Sequence, residues 1–98
     1  MAKYYLTNKA VEDLEDIWSY TYDEWSEKKQ ADKYYLLLLS SCQEIADNPE
    51  LGRKYDIVTP NLLGYKSNQH ILFYHIISEN EIEIIRILHG RMDLKNTL

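Results

Sequence analysis

The residues best suited to chemistry in this 98-residue chain lie together near its C-terminal end. Arginine clamps carboxylates and phosphates through paired hydrogen bonds, and histidine exchanges protons near neutral pH. The end of a strand holds such side chains on a rigid sheet while exposing them to solvent. The cluster that combines these properties is Arg86, His89, Gly90, Arg91, Met92 and Asp93.

A structural role explains the same residues. Arg86 and Arg91 can merely pair with Asp93 or with acidic residues of the first predicted helix. In the functional interpretation, Asp93 instead orients an arginine by charge-assisted hydrogen bonds. His89 can cap the end of its strand. The pattern by itself leaves both alternatives open.

Other catalytic signatures are absent. The chain has no glycine-rich phosphate loop, no His-Glu-x-x-His and no Gly-x-Ser-x-Gly, so we expect no cofactor. His70, His75 and His89 fall on predicted strands, but residues 70 and 75 are an odd number apart and point to opposite faces of a regular strand. We therefore expect no metal site. Glu12 and Asp16, spaced like an acid-base pair, are explained by the solvated face of a helix.

The charge distribution bears on possible partners. The net charge is −5; residues 1–48 carry five Lys/Arg and ten Asp/Glu, whereas residues 49–98 carry six of each. An acidic protein without a basic run repels phosphates. We expect no direct sequence-specific binding of nucleic acid by the chain alone.

Cysteine content and hydropathy bear on the compartment. Cys42 is the single cysteine, so no disulfide forms within the chain. The longest apolar stretch, residues 34–39, is too short to cross a bilayer, and the start of the sequence lacks the pattern of an export leader. We expect a cytoplasmic protein without a membrane segment.

Apolar residues at three- and four-residue spacing predict two amphipathic helices, over residues 9–25 and 31–46. Ser26 and Glu27 break the pattern between them, and Asn48-Pro49 ends the second helix. We expect the aromatic residues of these helices to pack in the core or between the helices, namely Trp18, Tyr22, Trp25, Tyr34 and Tyr35.

Residues rich in β-branched and aromatic types predict strands over residues 2–7, 61–67, 70–78 and 81–89, with a turn at Glu79-Asn80. The expected architecture is a single α+β domain over residues 1–98, of order β-α-α-β-β-β. Its two-helix hairpin packs on an antiparallel sheet, and a short C-terminal helix follows.

The string RILHGRMD at residues 86–93 resembles the C-terminal signature of ParE toxins, a branch of the RelE/ParE superfamily. Residues 10–20 (AVEDLEDIWSY) resemble the first helix of that family, and residues 31–35 (ADKYY) the second. Residues 48–52 (NPELG) resemble the following loop, and residues 70–74 (HILFY) the central strand. The resemblance covers nearly the whole chain.

The resemblance implies the toxin of a type II toxin-antitoxin system, which inhibits DNA gyrase and is neutralised by direct binding of its antitoxin. Such a toxin acts by binding rather than by catalysis. It also implies that the partner covers apolar surface by strand addition or by a helix in a groove. The residues expected to contact the target or organise the site are Lys66, Arg86, His89, Arg91, Met92 and Asp93.

The loop after Gly52 departs from the family pattern. Relatives often carry an arginine after a Pro-x-Leu element, whereas residues 60–65 lead here to Lys66. Lysine keeps the charge but not the bidentate geometry.

One alternative is an inactive or purely structural relative. The other is the RelE branch of the superfamily, which cuts messenger RNA on the ribosome. His89 would then be the acid or base, and Lys66, Arg86 and Arg91 would clamp the phosphate. The central strand offers no arginine for that reaction, so the sequence favours the inhibitor.

Overall fold

The computed structural model describes residues 2–90, apart from the side chain of Trp25. Helix α1 spans Asn8–Trp25 and helix α2 spans Lys28–Asp47. The Thr7 hydroxyl caps α1 by accepting the Ala10 N–H at 3.1 Å. Both predicted helices are confirmed, and α2 begins three residues earlier than the periodicity indicated.

The strands form one five-stranded sheet in the order β1-β5-β4-β3-β2. Their bounds are Lys3–Leu6 for β1, Arg53–Lys54 for β2, Leu63–Ser67 for β3, His70–Ser78 for β4 and Glu81–His89 for β5. A 3-10 turn, Pro49–Leu51, precedes β2. Strand β2 was not predicted from the sequence, because two residues are too few to show a period-two pattern.

The α+β class and the packing of both helices on the sheet are confirmed, but the expectation of a wholly antiparallel sheet was wrong. Strand β1 runs parallel to β5, with Lys3 opposite Glu81, while the other neighbours are antiparallel. Only strands joined by a tight turn must run antiparallel. The partner of β1 lies at the far end of the chain, so no turn sets its direction. The predicted C-terminal helix lies outside the described residues.

The main core lies between the helices and one face of the sheet. Its side chains come from every third or fourth residue of each helix and from alternating strand residues, including Leu14, Ile17, Leu38, Cys42, Ile45, Leu72, Tyr74, Ile82, Ile84 and Ile87. Burial raises the pKa of the Cys42 thiol to about 12, so this cysteine is a packing residue without thiolate reactivity. A smaller cluster of Leu62, Phe73 and Leu88 covers the opposite face.

Strand β5 contains a β-bulge close to the predicted site. Tyr74 pairs with Ile84 but Phe73 pairs with Arg86, so Ile85 is an extra residue on β5. The Thr7 hydroxyl donates to the Ile85 carbonyl at 2.7 Å, so the cap of α1 also holds the bulge. Even-numbered residues face the helices before the bulge, whereas Ile87 does so after it.

The hydroxyl of buried Tyr74 ties β4 to the loop after α2. It donates to the Pro49 carbonyl at 2.6 Å and accepts from the Gly52 N–H at 2.9 Å. A Cβ at Gly52 would collide with the same hydroxyl. Glycine is therefore required by this close approach.

Replacing Tyr74 with phenylalanine leaves two partly buried backbone groups without their partner. We expect Tyr74→Phe to lower the free energy of unfolding by about 1–2 kcal/mol, measured by urea denaturation. Tyr65→Phe, which removes an exposed hydroxyl that donates to Glu44, is the matched control and should cost about 0.5 kcal/mol or less. Equal losses in both variants would contradict the role assigned to Tyr74.

Candidate functional site

Arg86 is held by a bidentate ion pair with Asp13 of α1. Its Nε donates to Asp13 Oδ2 at 2.8 Å and its second terminal nitrogen donates to Oδ1 at 3.0 Å. The two side chains are only 20% and 11% exposed. The hydrogen bonds to Asp13, more than any other cause, raise the pKa of Arg86. Of the two acidic partners that the sequence offers Arg86, the pairing with a residue of the first helix is observed, and Asp93 lies outside the described residues.

The same carboxylate also completes the edge of β5. Strand β1 ends at Leu6, opposite Ile84, so within residues 2–90 no strand pairs with β5 on that side beyond this point. Asp13 Oδ2 accepts the Ile87 N–H at 2.9 Å and takes the place of the missing strand. One side chain of α1 thus fixes both the backbone and the arginine of the signature segment.

A second cluster joins His70, His89 and Tyr34 on the helix side of the sheet. His70 and His89 are register partners at the open end of the β4–β5 hairpin, and their rings meet edge to face with centroids 5.5 Å apart. Tyr34 of α2 shares a 2.7 Å hydrogen bond with His70 Nδ1. Sequence reasoning assigned Tyr34 to packing and missed this cluster, although counting outward from the Glu79-Asn80 turn places residue 70 opposite residue 89.

Partial burial controls the protonation of this cluster. Desolvation, followed by the neighbouring His89, lowers the pKa of His70, while the charge of Asp13 opposes the shift. Desolvation also raises the pKa of Tyr34. Both changes favour the neutral forms, so a neutral imidazole bonds a neutral phenol at neutral pH.

Lys66 does not join the other candidates. Its neighbours Tyr65 and Ser67 bond to α2 through Glu44 and Ser41. Alternation along β3 therefore sends the exposed Lys66 side chain to the opposite face of the sheet, away from His89.

The other candidates divide between described and undescribed positions. Arg91, Met92 and Asp93 lie outside the described residues. His75 lies opposite Glu83, further along the hairpin than the His70–His89 pair.

Across residues 2–90, no group of three or more His, Cys, Asp or Glu side chains is placed to hold a metal ion. Within that range neither helix combines the length and apolar content needed to cross a membrane.

A groove of about 770 Å³ opens beside the histidine pair. We call it the α1–sheet groove, because it lies between α1, the start of α2 and the open end of the β4–β5 hairpin. Its described lining consists of Asp16, Ile17, Tyr20, Thr21, Glu24, Gln30, Tyr34, Asn68, Gln69, His70 and His89.

Replacing Asp13 with alanine removes the acceptor of two Arg86 hydrogen bonds and of the Ile87 N–H hydrogen bond. We expect Asp13→Ala to lower the free energy of unfolding by about 2–4 kcal/mol, measured by chemical denaturation. Glu12→Ala, whose exposed carboxylate pairs with Lys9 at 3.6 Å, is the control and should cost about 0.5 kcal/mol or less. Comparable losses in the two variants would refute the bridging role of Asp13.

The lowered pKa of His70 links folding to pH. The unfolded chain binds a proton at His70 near pH 6.5 more readily than the folded chain, so this contribution to stability is present above pH 6.5 and is lost as the pH falls through the folded pKa. We expect unfolding titrations between about pH 5.5 and 7.5 to show a steeper fall in stability for the native chain than for His70→Gln. Identical pH profiles would mean that His70 is not the group responsible.

Several known proteins are similar to this chain in sequence. The family model for the ParE toxin of the type II toxin-antitoxin system, parDE, matches residues 4–94. Toxin ParE1 of Mycobacterium tuberculosis (strain H37Rv) is 36% identical over 97 residues, covering 99% of this chain and 98% of the relative. Toxin ParE1 of Caulobacter vibrioides is 32% identical over 95 residues, covering 97% and 96%.

A solved structure shares the fold. The chromosomal ParDE TA system from P. aeruginosa matches with a TM-score of 0.73 at 19% identity, covering 91% of this chain and 96% of that one. The structural likeness supports the arrangement of helices and sheet, and the sequence matches extend over nearly the full length of the chain. The chain therefore belongs to the ParE family of toxins of type II toxin-antitoxin systems.

Proposed function

We propose that this chain inhibits DNA gyrase and is neutralised by direct binding of a cognate antitoxin. The observation that carries the proposal is the ParE family match over residues 4–94, which includes the whole signature segment at residues 86–93. Inhibition by binding requires a rigid contact surface and no reacting group of the toxin's own.

The arrangement of cations supports binding over ribonuclease chemistry. Cleavage of RNA needs cations and an acid-base group around one phosphate. Arg86 is engaged by Asp13, and Lys66 lies on the opposite face of the sheet from His89. The engagement of Arg86 and the position of Lys66 therefore favour inhibition by binding.

We assign different roles to the signature residues. Arg86 organises the site, because its guanidinium is held against α1 and fixes the end of β5. His89, which follows on the same strand, and Arg91, Met92 and Asp93 contact gyrase. Lys66 is left out of the contact set.

The helical hairpin offers a surface for the antitoxin. Trp18 Nε1 of α1 donates to Asp32 of α2 at 2.9 Å. The Trp18 ring stacks on Tyr22, which is 42% exposed. Leu36 and Leu37 of α2 are 61% and 41% exposed. Exposed apolar side chains of this kind suit the packing of a partner segment.

The direct test is a plasmid supercoiling and cleavage assay with purified gyrase and ATP. We expect loss of supercoiling and accumulation of linear DNA, both suppressed by the antitoxin encoded beside this gene. Arg91→Ala should weaken inhibition at least tenfold, because a charged contact is worth about 1.4 kcal/mol or more. Arg53→Ala, which removes an exposed arginine of β2 at the far edge of the sheet, is the matched control and should inhibit like the native chain.

Two results would overturn the proposal. One is unaffected gyrase together with specific cleavage of ribosome-bound message that is lost in His89→Ala. The other is full inhibition by a folded variant with alanine at both His89 and Arg91, which would remove the contact site while leaving the target in place.

A further inference from the structure

The α1–sheet groove carries negative charge at two separate points. Asp16 and Glu24 are exposed residues of α1 that line it. They are eight positions apart, which corresponds to about 12 Å along a helix axis. No lysine or arginine occurs among the described lining residues, so none of these residues compensates the two carboxylates.

The rest of the described lining of the groove is aromatic and rich in amides. Tyr20 is 70% exposed, and Tyr34 lies deeper, bonded to His70. Aromatic rings attract cations through their faces, and a planar guanidinium also stacks on them. The amide side chains of the lining add carbonyl oxygens that accept N–H donors; they belong to Gln30, Asn68 and Gln69.

Arginine matches this combination better than lysine does. A guanidinium can present its flat face to a tyrosine ring while its edge donates two hydrogen bonds to a carboxylate. An ammonium group is a compact, strongly hydrated charge that cannot do both. Two carboxylates about 12 Å apart match side chains four residues apart on an extended segment, which rises about 3.3 Å per residue.

We propose that the α1–sheet groove binds an extended segment of a partner protein that carries two arginines four residues apart. One arginine pairs with Asp16 and the other with Glu24. Tyr20, which lies between these two carboxylates on α1, stacks on the guanidinium groups. The site follows from the charge and lining of the groove alone, so it does not depend on gyrase being the target.

The test is an NMR titration of the full chain at about 0.15 M salt, where exposed charges more than about 8 Å apart are screened. The probe is a capped peptide with arginine at its second and sixth positions and alanine at the other five. We expect chemical-shift changes centred on Asn68, Gln69 and the His70 ring. Substituting lysine for both arginines of the peptide should weaken binding at least threefold.

Two charge-matched variants separate the groove from the general acidity of the chain. Asp16→Asn combined with Glu24→Gln should weaken binding of the arginine peptide at least tenfold. Glu12→Gln combined with Asp23→Asn removes the same charge from positions of α1 that do not line the groove, and binding should change less than twofold.

Four outcomes would overturn the proposal. Equal weakening in both variants would reduce the effect to long-range attraction. Chemical-shift changes at Trp18 and Leu36 would place the peptide on the α1–α2 helical hairpin, outside the groove. Binding of the peptide only after Arg91→Ala and Lys95→Ala would show that the chain's own last residues occupy the groove. Chemical-shift changes that depend on protein concentration and not on the peptide would show that a second copy of the chain occupies it.

Discussion

The carboxylate of Asp13 is the contact on which the arrangement of the signature segment depends. It receives two hydrogen bonds from Arg86 and one from the Ile87 N–H, although Asp13 precedes Arg86 by 73 positions in the chain. A partly buried charge is tolerated only when it is paired and fully hydrogen-bonded, so the three donors and the acceptor depend on one another. The position of α1 against the sheet and the course of β5 are therefore set by the same contact.

Much of the fold was predictable because its elements are amphipathic on their own. The spacing of Leu14 and Ile17, and of Leu38, Cys42 and Ile45, identifies the buried stripe of each helix without reference to a partner. The period-two pattern of Glu81, Ile82 and Glu83 likewise predicts a half-buried strand. These signals are local, and local signals survive in a single sequence.

The features that escaped prediction are those that depend on distant partners. Nothing near Lys3 indicates that its strand pairs with β5 in parallel, and nothing near Ile85 indicates that the residue is an extra one in the ladder. The sequence singled out Arg86, and an acidic residue of the first helix was among its expected partners. The choice of Asp13 needs the helix to be docked first. The link between Tyr34 and His70 was missed because a tyrosine on an apolar stripe is indistinguishable from a packing residue.

The pairing of β1 with β5 has a consequence for how the protein is made. Strand β5 lies between β1 and β4, so the sheet has a gap in its interior until β5 is available. Lys3 and Glu81 are partners although 78 positions (81 − 3) separate them, and such long-range closure makes folding late and slow. While the ribosome still holds the end of β5, β1 and the cap of α1 lack their native partner strand. The native surface therefore assembles only after translation has passed the signature segment, and no shorter nascent chain can present it.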